Sequence, residues 1–123
     1  MRILLVEDEV ALADVIARNL RARGHEVTHE LTAEAALLRM AEAWPDALVL
    51  DVNLPDHTGW EILRRLSPAD RDRLHTVVIS AAPISQKRID EFKPDRTLQK
   101  PFPIEALIRA LDHSRETQKE ARL

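Results

Sequence analysis

The sequence Ala47-Leu48-Val49-Leu50-Asp51 is a continuous apolar run that ends in a carboxylate. Such a run, without polar alternation, predicts a strand buried on both faces, as in a parallel sheet covered by helices. Asp51 would then lie at the carboxyl edge of the sheet. In open α/β sheets ligands bind at this edge, where the strand order reverses. The function therefore depends on which other residues reach the same edge.

Strand and helix patterns alternate along the rest of the chain. Besides 47–51, four short stretches are predicted as strands: 3–6, 25–31, 76–80 and, by position more than by composition, 96–100. Five stretches carry apolar residues at helical spacing, near 12–20, 37–44, 59–66, 84–92 and 104–111. The apolar stripe at 84–92 is thin, so we expect that helix to be short and poorly anchored.

This alternation predicts an α/β fold with a five-stranded parallel sheet. Parallel neighbours require crossover connections, which the helices supply, and right-handed crossovers place helices on both faces. The common doubly wound order for five strands is 2-1-3-4-5, with a crevice between the first and third strands. We assign residues 1–113 to this one domain and 114–123 to a polar tail or the end of the last helix.

Composition limits the functional classes. A net charge of -3 and an aromatic share of 3% supply neither a basic surface nor stacking platforms, so this chain alone is not expected to bind nucleic acid. The opening apolar run is too short for a signal peptide or a membrane span. The absence of cysteine fits a reducing compartment. We therefore expect a cytoplasmic domain that does not contact membranes.

Chemically useful side chains end four of the predicted strands. Glu7 and Asp8 follow the first, Asp51 ends the third, Ser80 ends the fourth and Lys100 ends the fifth. Carboxylates at one edge repel one another unless a cation joins them, and Mg²⁺ prefers such oxygen ligands. A lysine and a hydroxyl beside that cation make a phosphoryl site in which a carboxylate can be the nucleophile. Asp51, on the central strand, is the predicted nucleophile.

Each of these residues also has an ordinary structural explanation. Glu7 and Asp8 can complement a helix N-terminus, and Asp51 can belong to a turn. Ser80 can cap a strand end, and Lys100 can be a solvated lysine. None of these explanations predicts that the residues coincide at four strand ends, so the phosphoryl site is favoured. The five histidines lack ligand spacing and are interpreted as surface or structural residues.

The chain resembles the receiver domains of bacterial two-component response regulators, which have the CheY-like fold, from residue 1 to about 113. The order and spacing of the matching segments carry the resemblance: Ile3-Leu4-Leu5-Val6-Glu7-Asp8-Glu9, Pro45-Asp46-Ala47-Leu48-Val49-Leu50-Asp51, Asn53-Leu54-Pro55-Asp56, Gly59, Ser80-Ala81 and Lys100-Pro101-Phe102. It implies that Asp51 accepts a phosphoryl group from a sensor histidine kinase or a phosphotransfer protein. Such a domain is not a conventional enzyme, although it assists its own phosphorylation and dephosphorylation.

The resemblance also implies roles for the surrounding residues. Asp8, Asp51 and the Asn53 carbonyl would hold Mg²⁺, with Glu7 acting largely through water. Ser80 would be the switch hydroxyl and Lys100 the partner of the phosphoryl group. A cis Lys100-Pro101 bond is implied as well. Phosphorylation would alter the face formed by the helix after the fourth strand, the fifth strand and the last helix, where a downstream protein partner binds.

One departure from the family pattern concerns this switch. Many receivers carry Tyr or Phe three residues before the lysine, whereas this chain has Thr97. Two other functions remain open: a Mg²⁺-dependent phosphatase with an aspartyl nucleophile, and a pseudo-receiver that only binds partners. The phosphatase commonly needs a second acid two residues after its nucleophile, where this chain has Asn53. The pseudo-receiver is disfavoured because all the required side chains are present.

Overall fold

A computed structural model of the chain describes residues 1–112, so the tail predicted for 114–123 lies outside the described residues. Five strands and six helices alternate within the described part. The strands are β1 (Arg2–Val6), β2 (Glu26–Glu30), β3 (Ala47–Asp51), β4 (His75–Ser80) and β5 (Arg96–Gln99). The helices are α1 (Val10–Ala22), α2 (Ala33–Glu42), α3 (Gly59–Arg64), α4 (Pro68–Asp72), α5 (Gln86–Phe92) and α6 (Ile104–Asp112).

The sheet has the predicted topology. Its order is β2-β1-β3-β4-β5 and every neighbouring pair is parallel. All five residues of β3 and all six of β4 are buried. Strand β1 pairs with both β2 and β3, so the strand order reverses at β1. The predicted doubly wound fold is confirmed.

Alternate residues of each central strand face opposite layers of helices. Ile3 and Leu5 pack with α1 and α6, whereas Leu4 and Val6 pack with α2, α3 and the end of α5. Because successive side chains of a strand point to opposite faces, an unbroken apolar run is what this double burial requires. The unbroken apolar run in β3 therefore indicates that helices cover both faces of the sheet.

Alanines form part of the buried face of two helices. The buried residues of α2 are Ala33, Ala36 and Met40, and those of α1 include Ala13 and Ala17. Some of the bulky apolar residues within the predicted helical stretches lie outside the buried face. Val15 on α1 is 47% exposed, for example. The buried face of α1 thus combines these alanines with Ile16 and Leu20.

Helix α4 is an element that the sequence analysis did not predict. We expected the third helix to end before Ser67-Pro68, and α3 does so, but a second short helix begins at that point. Ser67 is its N-cap, since the Ser67 hydroxyl accepts a hydrogen bond from Asp70 N at 3.1 Å. Proline is favoured at the first helical position, where its missing N–H has no helical partner. The same dipeptide therefore ends one helix and starts another.

Helix α5 is short and thinly anchored, as predicted. Phe92 is its one buried residue, and the Phe92 ring stacks on Trp60 with 5.3 Å between centroids. The guanidinium groups of Arg64 and Arg71 lie 5.5 and 5.7 Å from the centroid of the Phe92 ring, within the range of a cation–π contact. These contacts hold the carboxyl-terminal end of α5. No other residue of α5 is buried, so its amino-terminal end is fastened far less.

Candidate functional site

The structure brings the predicted site residues together at the carboxyl edge of the sheet. In the β1–β3 register Val6 pairs with Leu50, so Glu7 and Asp51 leave their strands side by side. Ser80 ends β4, and the Lys100-Pro101 bond after β5 is cis, as the resemblance implied. Both the doubly wound topology and the register were needed to align these strand ends, because a slip of one residue would turn Asp51 away.

Lys100 links the two buried carboxylates of the site. Lys100 Nζ lies 2.9 Å from Asp51 Oδ2 and 3.1 Å from Glu7 Oε1. Asp51 is 3% exposed and Glu7 0%. Buried carboxylates are costly unless a positive charge and hydrogen bonds accompany them. The ammonium group of Lys100 supplies both to this pair.

Two contacts of the site were not assigned from the sequence. Glu9 Oε1 lies 3.3 Å from Lys100 Nζ, so a third carboxylate reaches the same ammonium group. Its signal was present in the acidic run 7–9, of which only the first two members were assigned. His29 Nε2 lies 2.7 Å from the Glu7 carbonyl oxygen. Since a carbonyl only accepts, this nitrogen carries the proton, and the bond orients the backbone at Glu7.

The environment of Glu7 favours its neutral form. Burial raises the pKa of the Glu7 carboxyl from 4.5 to about 7, the neighbouring Asp51 adds to the increase, and a hydrogen bond from Lys100 opposes it. Burial alone would lower the pKa of the Lys100 ammonium, but the two carboxylates outweigh that effect and hold it above its usual value. Within the described residues, Glu7 Oε2 is buried without a hydrogen-bond partner. Lys100 thus contributes one positive charge to two acidic side chains, Glu7 and Asp51.

This imbalance predicts a pH dependence of folding stability. The pKa of Glu7 rises from 4.5, its value in an unfolded chain, to about 7 in the folded protein. Between these two pH values the folded protein holds a proton that the unfolded chain has released. The stabilisation is fully present below pH 4.5 and is lost as the pH rises through 7. As the pH rises through this window, we expect the free energy of unfolding of the metal-free protein to fall by up to about 3 kcal/mol. Urea unfolding in a chelating buffer measures it. Glu7→Gln should flatten the profile, and an equal slope in this variant would contradict the assignment.

The donor set of the site fits a hard divalent cation. One oxygen from each of Glu7, Asp8 and Asp51 lies within 4.8 Å of the others. Carboxylate oxygens with room for water are the ligands that Mg²⁺ prefers. A second cation would also compensate the charge that Lys100 leaves unbalanced, and Glu7 Oε2 is a buried acceptor with free capacity. Both observations favour metal binding here.

Asn53 and Ser80 border this cluster. Asn53 N donates a hydrogen bond to Asp51 Oδ1 at 3.1 Å, so the loop after β3 folds back over the carboxylate. Ser80 is 5% exposed, and its hydroxyl accepts a hydrogen bond from Ala82 N at 3.2 Å. The hydroxyl is thus attached to the loop that leads into α5. Thr97, in place of the usual aromatic residue, is exposed on β5.

A doubly wound sheet that gathers acids, a lysine and a hydroxyl at its switch point defines a class of ligand-binding α/β domains. Sequence comparison identifies the family within this class. The model of the response regulator receiver domain matches residues 3–112. The chain belongs to the response regulator receiver domain family. No described helix is long and apolar enough to cross a membrane.

Three curated relatives show the extent of the similarity. The chain is 34% identical over 113 residues to the transcriptional regulatory protein TrcR of Mycobacterium tuberculosis, covering 90% of this chain and 44% of that protein. It is 36% identical to the response regulator MprA of Mycobacterium avium, with coverages of 88% and 48%. For the phosphate regulon regulator PhoB of Rhizobium meliloti the identity is 37%, with coverages of 72% and 39%. The chain spans less than half the length of these relatives.

Solved structures agree with the observed fold. The receiver domain of the hybrid histidine kinase CckA is 32% identical, with a TM-score of 0.76 and coverages of 93% of this chain and 98% of that one. The non-phosphorylated HemR receiver domain of Leptospira biflexa is 25% identical, with a TM-score of 0.82 and 92% coverage of both chains. The chemotaxis response regulator CheY4 of Vibrio cholerae, 22% identical, has a TM-score of 0.83 and coverages of 92% and 97%. These similarities support the receiver fold.

Proposed function

We propose that Asp51 accepts a phosphoryl group from a histidine kinase or a phosphotransfer protein. The observation that carries the proposal is the position of the Asp51 carboxylate, 3% exposed at the edge of the sheet and 2.9 Å from Lys100 Nζ. A carboxylate in this position can act as a nucleophile, while the ammonium group neutralises charge on the transferred group. Family membership supports the same role.

The transfer exchanges one bond to phosphorus for another. An oxygen of Asp51 forms a P–O bond to the phosphoryl group, and the P–N bond to the donor histidine breaks, leaving its electron pair on the donor nitrogen. The Lys100 ammonium group then lies between Glu7 and the added negative charge of the phosphoryl group. The product is an acyl phosphate on the chain itself. The domain is therefore a phosphoacceptor that assists its own phosphorylation and dephosphorylation, and not an enzyme with repeated turnover.

Mg²⁺ is the cofactor that we propose for this site. Asp8, Asp51 and the Asn53 carbonyl would hold it, with Glu7 acting largely through water. When bound, Mg²⁺ neutralises charge on phosphoryl oxygens and orients them. The support within this chain is the cluster of three carboxylate oxygens within 4.8 Å of one another. A further receiver, TrrA of Thermotoga maritima, 21% identical with a TM-score of 0.80, was solved in complex with Mg²⁺–BeF.

The output is a change in the face formed by α5, β5 and α6, which binds a downstream protein partner in the cytoplasm. Phosphorylation adds close to two negative charges beside Ser80 and Lys100. Movement of the Ser80 hydroxyl toward them would pull on Ala82, to which it is hydrogen-bonded. Helix α5, anchored mainly through Phe92, is the element that follows most easily. A full swing from 1:99 to 99:1 needs about 5.5 kcal/mol, so the partner is expected to complete the shift.

Intact mass spectrometry after incubation with acetyl phosphate and Mg²⁺ tests this function. We expect one added phosphoryl group in the wild-type chain. It should be absent from Asp51→Asn and from wild-type protein in a chelating buffer, both shown by circular dichroism to be folded. Continued release of phosphate from simple phosphate esters would instead identify a phosphatase. Folded wild-type protein that accepts nothing, from acetyl phosphate or from phosphorylated histidine donors, would identify a pseudo-receiver.

A further inference from the structure

The loop of residues 52–58 connects β3 to α3 and places Asn53 beside the acidic cluster, where Asn53 N donates to Asp51 Oδ1. Its base is closed, because Gly59 N donates to the Val52 carbonyl oxygen at 2.7 Å and Asn53 pairs with Thr58 in an isolated antiparallel bridge. Val52 and Leu54 are partly buried against the core, whereas the other side chains of the loop are exposed. The order of the exposed outer part, residues 55–58, therefore depends on contacts other than burial.

Asp56 attaches this outer part to a separate helix. Asp56 Oδ1 accepts a hydrogen bond from Ala33 N at 2.9 Å, and Oδ2 accepts one from Glu34 N at 3.0 Å. Oδ1 also accepts from His57 N at 3.0 Å, which fixes the carboxylate within its own loop. The first amides of a helix have no partner within the helix. Two of those of α2 are bound here by a side chain 22 and 23 residues further along the chain.

The cap within α2 itself serves a different amide. Thr32 Oγ1 accepts a hydrogen bond from Ala35 N at 3.1 Å, the usual contact of an N-cap residue. Asp56 is thus not a replacement for a missing cap. It adds a connection between loop and helix, which we call the Asp56 tether. Desolvation raises the pKa of the Asp56 carboxyl, but the backbone hydrogen bonds from Ala33 and Glu34, together with those within its own loop, outweigh that effect and hold the pKa below its ordinary value.

A second contact joins the same two segments. His57 Nε2 lies 3.4 Å from Glu34 Oε1, and that oxygen also lies 3.0 Å from Arg65 Nη1 beyond α3. These side chains are 39 to 55% exposed, so these two contacts add little energy by themselves. Their positions show that the loop and the start of α2 face each other over more than one residue.

We propose that Asp56 is a positioning residue that sets the affinity of the site for Mg²⁺ by holding loop 52–58 against α2. The inference rests on the proposed metal site, in which the Asn53 backbone carbonyl is a ligand. A loop that is already fixed loses little conformational entropy when its carbonyl binds the ion, whereas a free loop must be ordered at that moment. Because coupling is reciprocal, Mg²⁺ should in turn strengthen the tether at Ala33 and Glu34.

Calorimetric titration of the full chain with Mg²⁺ tests this role. Asp56→Ala removes the tether, and we expect its Mg²⁺ dissociation constant to rise by about fivefold or more, the lower end of measured couplings between sites. Thr32→Ala is the matched control, because it removes a hydrogen bond from the same helix N-terminus without touching the loop. Its dissociation constant should equal that of the wild type. Asp56→Asn keeps one acceptor oxygen and should fall between the wild type and Asp56→Ala.

Amide signals in nuclear magnetic resonance spectra provide a readout that loss of stability alone would not change. The Ala33 and Glu34 signals should move during the Mg²⁺ titration in the wild type and in Thr32→Ala, and much less in Asp56→Ala. Equal dissociation constants in Asp56→Ala and the wild type, or an equal loss in Thr32→Ala, would overturn the tether alone. Wild-type protein that takes up no Mg²⁺ would overturn the metal site, and the tether with it.

Discussion

Gly59→Ala is expected to lower the free energy of unfolding by about 2 kcal/mol, as overpacking of a filled site does, and to slow phosphorylation of Asp51. An alanine Cβ at this position would overlap the Asp51 carbonyl oxygen and lie 3.0 Å from Leu50 Cγ. The nearest obstacle is backbone, which cannot turn aside as a flexible side chain can. Relief therefore requires a shift of the strand end that presents the acceptor carboxylate. Urea unfolding and the rate of phosphoryl uptake from acetyl phosphate measure the two effects.

Gly24→Ala separates damage at the site from loss of stability. Gly24 has a φ of +90° with open space around its missing Cβ, so alanine there strains the backbone by about 1 kcal/mol at the far end of α1. This variant should lose stability but keep the wild-type rate of phosphorylation. A Gly59→Ala protein that reacts as fast as Gly24→Ala would show that the close contact with Asp51 has no effect on the acceptor.

Lys100→Met is expected to destabilise the metal-free protein by about 3 kcal/mol, the cost of removing one partner from a buried ion pair. Methionine keeps most of the apolar length of the side chain but leaves Asp51 and Glu7 without the ammonium group 2.9 and 3.1 Å away. Mg²⁺ should restore much of the loss, because a ligand that binds only the folded state stabilises it by mass action. Urea unfolding with and without Mg²⁺ measures both quantities.

A second substitution in the Lys100→Met background tests whether the charge of Lys100 is what stabilises the protein. In metal-free buffer, Lys100→Met combined with Glu7→Gln should be more stable than Lys100→Met alone, because one of the two uncompensated acids is removed. A double-mutant cycle made from these two substitutions measures the coupling free energy between the neighbouring charges. Equal stability of the single and double variants would mean that Lys100 acts through packing and not through its charge.

Much of the fold could be predicted because β3 and β4 have an unambiguous pattern. A strand covered by helices on both faces must be apolar throughout, and few other structures impose that requirement. The site followed from the fold, since topology alone brings the ends of parallel strands to one edge. Glu7, Asp51 and Lys100 were paired across the chain on that basis, and the structure places them within ion-pair distance.

The features that were missed depend on local or long-range contacts without a periodic signal. Helix α4 begins at Ser67-Pro68. The same pair can end one helix or begin another, so the sequence at this point did not decide between the two. The buried alanines of α1 and α2 were missed because alanine is common on both faces of a helix. The Asp56 tether joins residues more than twenty positions apart and uses backbone donors, which leave no trace in composition.

Asp51 is the residue that we expect to become phosphorylated. Reduction of the phosphorylated chain with borodeuteride converts an acyl phosphate into a deuterated alcohol, which peptide mass spectrometry can locate. We predict one labelled site, at Asp51, which disappears in Asp51→Asn and in Mg²⁺-free protein. A label at Glu7, Asp8 or Glu9 instead, or phosphoryl uptake that leaves Asp51 unlabelled, would show that Asp51 is not the acceptor.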